Sequence, residues 1–144
     1  MAKIIVSACL LGLPCTYRGD SNCCEAVCRL AEAHTLIAVC PEQMGGLPTQ
    51  RPPAEIVQDR VITRDGRDVT PEYRRGGEAA LQLARLNGAS CAILKARSPS
   101  CGKGIIYDGT FTGQKCVGNG IAAGLLMDNG CPVYTEDEVE DIIF

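Results

Sequence analysis

The sequence has no tryptophan, a single histidine, and only four tyrosines and two phenylalanines in 144 residues. So few rings leave little for the stacking platform on which single-stranded nucleic acids lie. A net charge of −3 with pI ≈ 5.1 gives no basic field of the kind that gathers phosphates. No apolar run approaches the ~18 residues that a membrane-spanning helix requires. The opening Met1-Ala-Lys-Ile-Ile-Val is too short an apolar stretch for a secretory signal and reads as a first strand. Paired Cys-x-x-Cys knuckles are missing as well, which weakens a structural zinc site or a dithiol redox motif. The expected setting is the cytoplasm, with no membrane or nucleic-acid partner.

What remains is an ordinary globular composition, 46% apolar and 22% charged. It is enough for a single domain spanning residues 1–144. The exception is cysteine. Ten occur, at positions 9, 15, 23, 24, 28, 40, 91, 101, 116 and 131. In a reducing compartment a disulfide framework is a poor explanation for them. Cys23, Cys24, Cys28, Cys91, Cys116 and Cys131 read as core or surface thiols, because free cysteine packs as a small apolar residue.

Strand and helix patterns alternate. Strands are expected at Lys3–Ala8, Leu36–Val39, Cys91–Lys95 and Pro132–Tyr134. Asn22 with Glu25 looks like a capping box for a helix running to about Ala33. Cys40–Pro53, with four prolines, reads as a long loop. Arg64-Asp65-Gly66 is expected to turn a β-hairpin within Ala54–Val69. Thr70-Pro71-Glu72 opens a long helix with Thr70 as its cap and Gly88 as its stop. A short hairpin near Ile105–Phe111, a helix over Ile121–Asp128 and a last helix opened by Thr135 and Glu138 complete the reading. The fold class this predicts is α/β, an open sandwich around a mostly parallel, Rossmann-like sheet.

In such sheets, ligands bind beyond the carboxyl ends of the strands. Cys9, Cys40 and Cys101 each follow a predicted strand, so distant cysteines are expected to converge there; Cys15 is a possible fourth member. Thiolates select zinc, copper(I) or iron–sulfur clusters. Single cysteines dispersed over several loops suit a cubane, whose corners need separate approach directions. With three thiolates bound, one iron keeps an open position and becomes a Lewis acid. Glu42, two residues past Cys40, is placed to act as a general base. Ser98 and Ser100 can hydrogen-bond a substrate or relay a proton, or simply cap their turn. Lys95 and Arg51 supply positive charge, unless Arg51 is spent on Glu55 or another carboxylate. Gly45, Gly46 and Gly102 permit close backbone approach.

Several motifs now occur in order: Ser7-Ala8-Cys9-Leu10-Leu11-Gly12, Val39-Cys40-Pro41-Glu42 with Gly45-Gly46-Leu47-Pro48, Arg51-Pro52-Pro53-Ala54-Glu55-Ile56, Leu94-Lys95-Ala96-Arg97-Ser98-Pro99-Ser100-Cys101-Gly102, and Tyr107-Asp108-Gly109-Thr110-Phe111. Across essentially the whole chain they resemble the thiouracil desulfidase family, long catalogued as a bacterial domain of unknown function. The resemblance implies a 4Fe–4S cluster held by three cysteines, which map to Cys9, Cys40 and Cys101. It implies non-redox removal of sulfur from a thiolated pyrimidine such as 4-thiouracil, giving uracil and hydrosulfide. The acid–base glutamate maps to Glu42 and a substrate-contacting serine to Ser98, with Ser100 as a nearby alternative. Cys15 lies in a family-like loop, where it could replace or supplement a ligand. A cluster also implies iron–sulfur assembly machinery as a partner. Larger relatives act on 4-thiouridine in transfer RNA; the length and acidic balance here favour a small free thiopyrimidine. Two other readings are a non-catalytic zinc- or cluster-binding module, using Cys9, Cys15, Cys40 and Cys101, and a metal-free thiol sulfur carrier.

Overall fold

A computed structural model describes all 144 residues. Strand β1 (Lys3–Ser7) runs into a 3-10 turn at Ala8–Leu11, and a loop leads to helix α1 (Glu25–Cys28), extended by a 3-10 turn at Arg29–Glu32. Then follow β2 (Thr35–Val39), α2 (Pro41–Met44), β3 (Ala54–Val57), β4 (Arg60–Thr63) and α3 (Thr70–Asn87). After these come β5 (Cys91–Leu94), β6 (Ile105–Tyr107), β7 (Lys115–Val117), α4 (Ile121–Asp128), β8 (Val133–Thr135) and a 3-10 helix at Glu136–Asp141.

The central sheet has the order β2-β1-β5-β8, and all of its pairings are parallel. Both faces are covered, as a parallel sheet requires. Alternation along β1 divides its side chains. Ile5 joins Leu81, Ala84, Ala123 and Leu126 beneath α3 and α4. Ile4 and Val6 join Leu10 and Val27 on the opposite face. The expected open α/β sandwich is therefore present. Its strand order places the topological switch at β1: the chain first lays β2 on one side of it, then crosses to lay β5 on the other. The crevice beyond the carboxyl ends of β1, β2 and β5 is the natural ligand site of this topology.

Local departures from the sequence reading have physical causes. The first helix begins at Glu25 rather than Asn22, and its cap residue, Cys24, makes no side-chain capping bond. Asn22 is spent elsewhere: its amide bonds the Cys9 carbonyl at 3.0 Å. The hairpin β3–β4 turns at Gln58, which adopts φ 59°. Asp65-Gly66 turns a second, shorter antiparallel pairing as expected, in which Ile62 opposes Asp68, the Thr63 amide bonds the Arg67 carbonyl at 2.8 Å and the Val69 amide bonds the Val61 carbonyl at 2.9 Å. Thr70 does not cap α3, because its hydroxyl accepts the buried Val61 amide at 2.7 Å. The carboxylate of Asp68 takes the Thr70 amide instead, at 2.9 Å. The proline-rich loop after β2 begins with the single turn α2, started by Pro41 at a position where a missing amide costs nothing. The capping box of Thr135 and Glu138 is formed, but it opens a 3-10 helix.

Candidate functional site

A cavity of about 490 Å³ opens beyond the carboxyl ends of β1, β2 and β5. Cys9, Cys15, Cys40 and Cys101 all line it, with Glu42, Ser98, Lys95 and Arg51. The strand ends bring the cysteines there. Cys9 lies in the turn after β1, Cys40 directly follows β2, and Cys101 follows β5 in the Ser98–Gly102 turn. Glycines draw the layers together around them. A Cβ on Gly76 of α3 would fall 1.7 Å from the Pro41 carbonyl oxygen, and one on Gly45 would fall 1.9 Å from that of Glu72. Helix α3 thus presses directly on the turn carrying Cys40 and Glu42. Gly102 likewise approaches the Ser98 carbonyl, where a Cβ would lie at 2.7 Å. Gly46 faces open space and owes its identity to φ 102°.

A polar group stands near each of the three strand-end thiols and favours its thiolate form: Asn22 for Cys9, the Gln43 amide for Cys40 and Ser7 for Cys101. Cys40 Sγ itself donates to the Cys15 carbonyl at 3.7 Å. Ser7 is fixed in turn, accepting the Lys95 amide at 2.9 Å and so tying the end of β1 to the end of β5. Without a bound cation, burial pushes the Cys9, Cys40 and Cys101 thiols up, and the nearby Glu42 carboxylate adds to the shift. Cys15 is pushed up to about 12, chiefly by burial and then by Cys40 and Cys9. Soft donors lining one cavity, each near a polar group that favours its thiolate form, fit a polynuclear thiophilic group. No group of three or more His, Cys, Asp or Glu side chains is arranged to hold a single metal ion.

Glu42 and Arg51 form a buried ion pair in the cavity wall, through Oε2 of the carboxylate. Arg51 also donates to the carbonyls of Cys15 at 3.1 Å, Pro48 at 3.0 Å and Thr49 at 2.9 Å, locking the loop after β1 to the loop after β2. Burial works against its charge, but Glu42 outweighs burial and raises its pKa. Glu55 is not its partner. That buried carboxylate accepts the amides of Gly109 at 3.0 Å and Phe111 at 3.2 Å, and so holds the β6–β7 connection over the cavity. Lys95 pairs with Glu136 at 2.7 Å.

The two serines separate. Ser98 lines the cavity, and its Oγ accepts the amides of Ser100 and Cys101, each at 3.1 Å. Its own proton is left free to donate. Ser100 is fully buried, does not line the cavity, and its Oγ has no hydrogen-bond partner. Its backbone packs against the start of α4, where the Ala122 amide bonds its carbonyl at 2.8 Å. Among the other cysteines, Cys91 and Cys131 are buried, Cys24 and Cys28 half-buried, and Cys23 and Cys116 exposed. Sequence reasoning missed Ser7, whose hydroxyl ties β1 to β5 beside Cys101, and Tyr73 and Phe111 as cavity walls. Tyr73 falls in the apolar stripe of α3 and has no signal separating it from core.

A solved structure of TudS, a [4Fe-4S]-dependent thiouracil desulfidase, is similar at TM-score 0.92 and 46% identity, over 98% of this chain and 95% of that one. A Bacillus subtilis (strain 168) protein, the uncharacterised YbbK, is 41% identical over 150 residues, spanning 97% of this chain and 99% of that one. The family model described as 2-thiouracil desulfurase matches residues 4–138. The chain belongs to the 2-thiouracil desulfurase family.

Proposed function

We propose that this chain removes sulfur from thiolated pyrimidines by hydrolysis, with Cys9, Cys40 and Cys101 holding a [4Fe–4S] cluster. The observation that carries the reading is the meeting of those cysteines, from three strand ends, around one cavity that also holds Glu42. When bound, the cluster supplies an iron without a protein ligand, a Lewis acid for the thiocarbonyl sulfur. The remaining chemistry belongs to the chain. Arg51 fixes Oε2 of Glu42, which leaves Oε1 to take a proton from water and return one to the departing sulfur. Ser98, its oxygen occupied by two backbone amides, donates its proton to the substrate. Atoms balance without redox change: water oxygen bonds the ring carbon, the carbon–sulfur bond breaks, and hydrosulfide leaves beside the oxo-pyrimidine.

The substrate is a small free thio-base rather than a nucleic acid, in keeping with the net charge of −3. No helix is long and apolar enough to cross a membrane. Ten unpaired thiols suit the reducing cytoplasm, where iron–sulfur assembly machinery would load the site. The test is anaerobic reconstitution followed by the loss of 4-thiouracil and 2-thiouracil absorbance in the near ultraviolet. Equal yields of uracil and hydrosulfide, with no reductant consumed, are expected. A fully loaded protein that turns over neither base would overturn the reading.

A further inference from the structure

Helix α3 delivers to the cavity one side chain that the proposed chemistry does not use. Tyr73 sits in its first turn, and its ring is packed among Leu47, Val61 and Val69 with 3% of its surface exposed. The ring is immobile because the layers meet closely there: Gly76, three residues on, touches the Pro41 backbone. Its hydroxyl makes no hydrogen bond within the protein. Ser100 Oγ is the one buried side-chain oxygen or nitrogen that lacks a partner. The Tyr73 hydroxyl therefore owes its lack of a partner to an opening. Tyr73 lines both the cavity and a small cleft behind Leu47 and Val69, but the charged and thiol groups nearest its hydroxyl, Glu42, Arg51, Cys101 and Cys40, are all cavity residues, so the cavity is the opening it faces. Burial keeps the phenol in its neutral, proton-bearing form.

We infer that the Tyr73 hydroxyl is a substrate-binding donor, hydrogen-bonding the carbonyl oxygen that a thiouracil carries besides its thiocarbonyl and thereby fixing which face and edge of the ring meet the site. The chemistry selects that atom. A neutral phenol with its proton free seeks a neutral acceptor. Once the substrate sulfur is engaged, the ring's carbonyl oxygen is its strongest remaining acceptor. A rigid donor serves better than a mobile one, because little rotamer freedom is lost on binding. The inference rests on the proposed function and makes Tyr73 a specificity residue for oxo-thiopyrimidines.

The experiment compares wild type with Tyr73→Phe, which removes one oxygen and leaves the packed ring. Both are reconstituted anaerobically and assayed on 4-thiouracil and on pyrimidine-4-thione, which lacks the carbonyl oxygen. One neutral hydrogen bond corresponds to roughly a 5-fold to 10-fold effect. KM for 4-thiouracil should rise by about that factor in the variant, with pyrimidine-4-thione unaffected and iron and sulfide content unchanged. Equal effects on both substrates, or no effect on either, would each overturn the inference. Uracil binding by calorimetry gives a second readout that needs no turnover: its Kd should weaken by a similar factor in Tyr73→Phe, and an unchanged Kd contradicts the inference. Should wild type bind uracil through Tyr73 yet desulfurate neither thione, the functional reading fails while the binding assignment stands.

Discussion

The guanidinium of Arg51 is paired with the carboxylate of Glu42 inside the cavity wall, where their side chains are only 4% and 15% exposed. The pair does more than neutralise charge. Arg51 also holds the Cys15 carbonyl, so a single side chain spans the loops that present Cys9, Cys15 and Cys40. Arg51→Met keeps the bulk and removes the charge. Breaking a buried pair from one side costs roughly 3 kcal/mol, because the other charge is left uncompensated. Thermal denaturation should show that loss, and desulfuration should fall at least about 10-fold as Glu42 swings free. Wild-type activity in a folded Arg51→Met protein would contradict the positioning of Glu42 by Arg51.

Gly76→Ala tests whether α3 shapes the site. Its new methyl would meet the Pro41 carbonyl oxygen at 1.7 Å, so the helix must retreat from the turn that bears Cys40. Overpacking of this kind costs about 1–3 kcal/mol. The variant should unfold at lower denaturant concentration and take up less iron. Ala at Gly66, where nothing lies within 4 Å, meets only the strain of φ 88° and should leave iron uptake intact.

The metal-free protein should lose stability in alkali. An unfolded thiol titrates near 9.0, whereas burial pushes Cys15 up to about 12. Between those values the folded chain keeps a proton that the unfolded chain has released, so stability falls as pH rises through that window. The urea midpoint of the apo-protein should drop between about pH 9 and about pH 11, and Cys15→Ala should remove part of the slope. A flat midpoint across this range would be inconsistent with buried, protonated thiols.

Exposure orders the reactivity of the cysteines. Native alkylation of apo-protein under argon should label Cys23 and Cys116 first, and Cys15, Cys91, Cys101 and Cys131 last, by peptide mass mapping. Cys9 and Cys40 are half-buried at the cavity, so they should react in the apo-protein and become protected on reconstitution. Equal labelling of these two before and after loading would argue against their place in the site.

Much of this was legible in the residues. The apolar runs Ile4-Ile5-Val6 and Cys91-Ala92-Ile93-Leu94 announce strands buried on both faces, and a parallel sheet follows from them. Three cysteines placed just beyond the ends of three adjacent parallel strands are then brought together. What was not legible depends on tertiary competition for polar groups. The helix starts at Glu25, leaving Asn22 in the loop with its backbone amide on the Cys9 carbonyl, and Thr70 gives its hydroxyl to the Val61 amide. Ser98 and Ser100 look equivalent in sequence, yet one faces the cavity and the other is sealed by α4. Tyr73 is one more apolar-stripe residue until the position of its hydroxyl is known.

A count of iron and acid-labile sulfide per chain reads directly which thiols hold the cluster. Wild type and Cys9→Ala, Cys15→Ala, Cys40→Ala and Cys101→Ala proteins are reconstituted together without oxygen. The expected result is about four irons and about four sulfides in wild type and Cys15→Ala, and their loss in the other three. A Cys9→Ala, Cys40→Ala or Cys101→Ala protein that holds a full cluster, or a Cys15→Ala protein that holds none, contradicts the assignment.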